Sequence, residues 1–144
     1  MNRRVPLTLP VVLLGVLLML GGCSSDGSDG AAKPDYTPMA DEKLYAAVAD
    51  LPGVEAVDIR FNDTWPEAKY GGEITIEPDA DPQAVLDATY AVLRQGRPGV
   101  GISVFGIQNR TSIRFERLEG RSGIPSELAK RYGEQPGDGT PPED

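Results

Sequence analysis

The 144-residue chain has no histidine and a single cysteine, Cys23. Without histidine there is no Ser-His-Asp triad, no Cys-His pair and no His-containing zinc site. One cysteine excludes an intrachain disulfide framework. Basic residues are scarce too, at 14 Lys and Arg against 22 Asp and Glu, and two of the 14 are Arg3 and Arg4. Removing the first 22 residues leaves 12 basic against 22 acidic residues, a net charge of −10. Such a chain repels phosphate backbones and shows no dense basic patch to overcome this, so nucleic acid is not an expected partner. Nor does its charge draw it to anionic lipid. Aromatic residues make up 6% of the chain, with one tryptophan, Trp65.

The N-terminus carries the clearest pattern. Arg3 and Arg4 precede an uncharged run, Val5–Leu20, which ends at Gly21, Gly22 and Cys23. A charged start, an apolar middle and small residues at the end describe an export signal. A retained membrane helix needs about 20 apolar residues. Pro6 and Pro10 break the early part, and Val11–Leu20 supplies only half that length. Leu20-Gly21-Gly22-Cys23 resembles the lipobox of bacterial lipoprotein precursors. The resemblance implies a diacylglyceryl group on the Cys23 sulfur and cleavage between Gly22 and Cys23. It also implies anchorage in the cell membrane, on the extracytoplasmic side. Each buried methylene contributes about 0.8 kcal/mol, and two acyl chains give a stable anchor where one holds marginally. Arg outnumbers Lys ten to four, and Gly and Pro are abundant, as in GC-rich genomes of the actinobacterial type.

The expected organisation follows. Residues 1–22 are the signal, and 23–36 are the lipidated cysteine with a flexible Gly/Ser-rich tether. Residues 37–119 form a small α+β domain. Residues 120–144 hold a short helix, about Ser126 to Tyr132 and stopped by Gly133, and a disordered acidic tail.

Within the domain, Thr37 and Pro38 suit the start of a helix whose Leu44, Val48 and Leu51 recur at helical spacing, before Pro52-Gly53 stops it. Val57, Ile59 and Phe61 alternate with polar residues, as do Ile74 and Ile76, so both segments read as half-buried strands. Asp81 and Pro82 open a second helix with a stripe of Val85, Leu86, Thr89, Val92 and Leu93. Val100–Ile107 and Thr111–Leu118 read as the last two strands. These elements predict a two-layer α+β sandwich. It has a four-stranded, mostly antiparallel sheet with two helices on one face, in the order αββαββ. Tyr45–Val54 and Tyr90–Val100 align with one insertion, which suggests an internal duplication; Pro-Gly after a helix is also common punctuation. At the level of fold alone, the element order resembles small exported αββ modules such as the BON domain and the ring-building motifs of secretion lipoproteins. Fold does not carry function.

Candidate chemistry is thin, and no catalytic, cofactor-binding or metal-ligating residues are expected. The only covalent group implied is the lipid on Cys23. Glu73, Glu77, Asp79 and Asp81 cluster around the second strand and its exit, but alternation places Glu73 and Glu77 outward, as a solvated face. The loop Asp63–Gly72 holds Trp65 and Tyr70, the candidate partner-binding residues; the competing reading folds Trp65 back onto the core edge. Phe105 and Ile107 point away from the inward residues of their strand. The chain thus reads as a non-enzymatic binding or docking module, with an envelope protein or cell-wall component as partner. The alternatives are a self-assembling structural component and a carboxylate-based cell-wall enzyme using Glu73 and Glu77.

Overall fold

The first helix starts three residues later than Pro38 suggests. The computed structural model, which describes residues 36–64, 67–120 and 123–143, places α1 at Asp41–Ala49. The Met39 amide donates to the Gln95 carbonyl at 3.0 Å, which holds the preceding segment extended until Ala40 turns into the helix. Asp41 and Glu42 then occupy the first turn, where the helix dipole favours negative charge. Strands β1 (Val54–Asn62) and β2 (Lys69–Ile76) follow, then α2 (Pro82–Leu93), β3 (Gly101–Gln108), β4 (Thr111–Ile113) and α3 (Pro125–Tyr132). Asp81 caps α2 as expected, its carboxylate accepting the Gln83 amide at 3.0 Å with Pro82 in the first turn.

The four strands lie in the order β1-β2-β3-β4. The two outer pairs are antiparallel, but β2 and β3 are parallel, so the sheet is mixed rather than mostly antiparallel. The cause is α2. A helical crossover of a dozen residues carries the chain back to the end of the sheet where β2 began, which makes the next strand parallel. β3 therefore runs against β1, and the second α-β-β unit is inverted relative to the first. The two units are not related by a simple step across the sheet.

The inward face carries Val57, Ile59 and Phe61 of β1, Tyr70, Ile74 and Ile76 of β2, and Ile102 and Val104 of β3. Register stacks them in rows, with Phe61 beside Tyr70 and Tyr70 beside Ile102. α1 packs on β1 and on α2, and α2 packs on β3.

There are three helices among the described residues, where two were expected to cover the sheet. α3 is part of the same core, because its Leu128 is fully buried; burial of one such leucine is worth about 2 kcal/mol. Pro125 rather than Ser126 opens it, with Ile124 at the cap, and Gly133 ends it at a φ of +73°. A left-handed residue of this kind commonly terminates helices and favours glycine. Beyond it, the Gln135 side chain donates to the carbonyls of Arg94 (2.9 Å) and Arg97 (3.2 Å) and accepts the Gly99 amide at 2.9 Å. Arg94 in turn donates to the Gly133 carbonyl. The segment through Gln135 is therefore docked on the loop after α2, not loose as its composition suggests.

The β3–β4 turn places Asn109 at φ +52° and Arg110 at +64°. The geometry is that of a two-residue hairpin loop, which favours Asn-Gly. Asparagine tolerates it, whereas arginine pays the steric cost of a Cβ in the left-handed region. Arg110→Gly is therefore expected to raise stability by about 1 kcal/mol, read as a higher urea midpoint at unchanged slope.

Candidate functional site

β4 ends at Ile113, five residues short of its expected length. The chain then leaves the sheet because Gln83, in the first turn of α2, captures it. Its side-chain amide donates to the Arg114 carbonyl at 2.8 Å and accepts the Glu116 amide at 3.0 Å, as a neighbouring strand would. Phe115 turns inward and packs on Tyr90, ring centroids 4.7 Å apart.

The consequence is a notch in the sheet edge. β3 continues back to Gly101, but β4 pairs only with Gly106–Gln108. Where a partner strand is missing, two stand-ins occupy the edge of β3. The Gly123 carbonyl accepts the Ile102 amide at 2.7 Å. The Tyr90 hydroxyl donates to the Val104 carbonyl at 3.3 Å and accepts the Val104 amide at 3.4 Å. Both Tyr90 bonds are long for their kind. Burial pushes the Tyr90 phenol up from its usual pKa, so it stays a neutral donor.

A cleft of about 280 Å³ opens here, lined by Lys69, Ser103, Phe105, Arg114, Phe115 and Ile124. The Arg114 guanidinium lies over the Phe105 ring at 5.4 Å. Ile124 on the rim is 38% exposed, an exposed large apolar side chain. Among the described residues of the walls, Lys69 and Arg114 outnumber the single acid, Glu67. The arrangement offers a strand edge, an apolar wall and two cations. It suits an extended main chain bearing a carboxylate.

Of the sequence-predicted site residues, Cys23 and Trp65 lie outside the described residues. Tyr70 is not on a loop and presents nothing to a partner: it sits on the inward face of β2, fully buried. Its hydroxyl donates to Asp41 Oδ1 and accepts the Arg97 amide, each at 3.1 Å. Arg97 closes the cluster, bonding Asp41 Oδ2 at 2.9 Å and lying 4.2 Å above the Phe61 ring. Burial first, then the Asp41 carboxylate, drive the Tyr70 pKa up to about 12, against the opposing effect of the Arg97 amide.

The acidic residues are not brought together as a catalytic pair. Glu73 is exposed on the outward face of β2, beside Asp58, while Glu77, Asp79 and Asp81 rim a separate groove by Pro52 and Val85. Phe105 and Ile107 do lie on the outward face, half-buried. The residues that sequence reasoning missed are Tyr90, Lys69 and Arg114. Tyr90 lies beside the apolar stripe of α2, where its hydroxyl is the one hint that it meets a polar group.

Compared with protein-family models, with curated proteins and with solved structures, the chain matches none.

Proposed function

We propose that the chain is an exported, lipid-anchored docking module of the bacterial cell envelope, held by a diacylglyceryl group on Cys23. The observation that carries the anchoring is the run Leu20-Gly21-Gly22-Cys23, placed at the end of a charged–apolar segment. Residues 24–35 then act as the leash. The domain at its end binds through the notch beside β3, taking an extended acidic segment of another envelope component by strand addition, with Lys69 and Arg114 reading its carboxylate. The long Tyr90 bonds support this reading, since an incoming main chain makes shorter ones. The domain works by binding, without catalysis.

The test has two arms on the full chain. Radiolabelled palmitate is expected to enter the wild type and not Cys23→Ala; label retained on the variant overturns the anchor. Envelope proteins co-purifying with the wild type are expected to be lost from Lys69→Glu/Arg114→Glu. An identical set of co-purifying proteins removes the notch as the binding site.

A further inference from the structure

β1 ends the sheet on one side, and among the described residues no strand flanks it there. Nine residues long, it carries neither proline nor lysine, two of the devices that usually blunt an exposed edge. Which groups face outward follows from one contact. The Gly101 amide donates to the Ala68 carbonyl at 3.0 Å, so the even-numbered residues of β2 turn their main chain toward β3 and Lys69, Gly71 and Glu73 turn theirs toward Asn62, Arg60 and Asp58 of β1, which leaves the Phe61 main chain facing out. The ladder alternates, and the only irregularity in β1 lies between Val54 and Ala56. The main-chain groups of Val57 and Ile59 therefore point out of the sheet as well.

We propose that this edge is where a second copy of the chain adds, antiparallel, on a two-fold axis at Ile59. That register is set by charge. Asp58 and Arg60 flank Ile59 on the outward face, 65% and 83% exposed, and pair with each other at 3.2 Å. Two-fold pairing at Ile59 puts Asp58 opposite Arg60 of the second copy, and Arg60 opposite its Asp58. Two cross-strand ion pairs form on one face. On the other face, Val57 meets Phe61 of the second copy, and Ile59 meets its counterpart. Parity agrees. Residues 57, 59 and 61 become the hydrogen-bonded pairs, and 58 with 60 the closely spaced pairs between them. A strand of another protein has no reason to carry this mirrored pattern, whereas a two-fold contact requires self-complementarity. The outward main-chain groups of residues 57, 59 and 61 find partners in the second copy, so none of them is stranded. The result is one eight-stranded sheet. The contact does not depend on how the chain is anchored, and it uses the opposite side of the sheet from the β3 notch.

The experiment uses the full chain in bacterial cells and then in detergent. In closely spaced antiparallel pairs the Cβ atoms approach within disulfide range. Asp58→Cys/Arg60→Cys is expected to give a disulfide-linked dimer on copper-phenanthroline oxidation, reversed by thiol. Asp58→Cys alone, whose thiols lie out of register, is expected to stay monomeric. Equal dimer from both variants overturns the register. In sedimentation, the wild type and the charge swap Asp58→Arg/Arg60→Asp are expected to be dimers. Asp58→Arg alone sets two arginine pairs face to face and is expected to weaken association about tenfold or more. A monomeric wild type, or an Asp58→Arg variant as dimeric as the wild type, overturns the proposal.

Discussion

Asp87→Ala is expected to destabilise the fold by about 3–5 kcal/mol, the range for removing one partner of a buried charge pair. Asp87 sits on α2 with 1% of its surface exposed. Its carboxylate accepts two bonds from Arg131, at 3.0 Å to Nε and 2.5 Å to Nη2, and one from the Tyr132 hydroxyl at 2.6 Å. Arg117 reaches it more loosely, at 3.4 Å. Deleting the carboxylate leaves the Arg131 charge, only 16% exposed, without that partner in a poorly solvated site. The Tyr132 phenol, pushed well up from its usual pKa by burial and then by Asp87, loses its 2.6 Å acceptor and keeps only the residue-87 carbonyl at 3.4 Å. Because Arg131 and Tyr132 both belong to α3, the variant is expected to loosen that helix first. Hydrogen exchange should show amides of Leu128–Tyr132 exposed before those of β2, and urea denaturation should give the total loss. Arg117→Ala, removing the longer bond to that carboxylate, is expected to cost less than Asp87→Ala. If Asp87→Ala costs no more than Arg117→Ala, the carboxylate is not what fastens α3.

The difference between what was legible in the sequence and what was not follows the range of the interactions. Strand alternation and the Asp81-Pro82 helix start are local, so β1, α2 and β3 appear close to where the pattern puts them. The mixed sheet was readable in principle, since β2-α2-β3 is a strand–helix–strand order that favours a parallel pair. The alternation of apolar and polar residues, which suits an antiparallel sheet with one solvated face, outweighed that signal. The early end of β4 was not readable. Thr111–Leu118 alternates well enough for a strand, and it is Gln83, some thirty residues away, that pulls the main chain off the sheet. The notch beside β3 exists only because of that capture, so no local pattern announces it. Asp87 illustrates the same limit. On α2 it lies off the apolar stripe, where a carboxylate reads as solvated, yet α3 closes over it with two basic residues nearby. Tyr70 was misplaced for a related reason. The sequence pattern runs the loop to Gly72, but β2 begins at Lys69, and that shift turns Tyr70 from a loop aromatic into the centre of the core.

Tyr70→Ala is accordingly expected to cost about 3–5 kcal/mol, as for other large aromatic truncations in a core. The ring lies 5.5 Å from Phe61 and 6.4 Å, edge-on, from Tyr45, so its loss opens a cavity where α1, β1 and β2 meet. Collapse into that cavity is limited, because Gly96 already sits as close as a residue can: a Cβ there would lie 2.3 Å from the Tyr70 oxygen and 2.5 Å from Leu44. Tyr70→Phe isolates the hydroxyl. It keeps the ring, strands the Arg97 amide and leaves Asp41 with Arg97 alone, at an expected cost of about 1–2 kcal/mol. The two states of the hydroxyl also give a pH signature. The fold holds the phenol neutral, raising its pKa from 10.0 to about 12, so the folded state binds its proton more tightly than the unfolded chain does. The stability this contributes is complete below pH 10 and is lost as pH rises through 12. A shift of that size corresponds to roughly 3 kcal/mol. Stability measured by urea at intervals from pH 9 to 12 should therefore fall more steeply in the wild type than in Tyr70→Phe. The two curves should converge toward the alkaline end. The part of the tyrosinate absorbance that Tyr70→Phe removes should appear in the wild type only as the chain unfolds. Parallel curves for the two proteins across that window would show that the Tyr70 hydroxyl does not hold its proton in the fold, and the Asp41–Tyr70–Arg97 cluster would then owe its order to the ring.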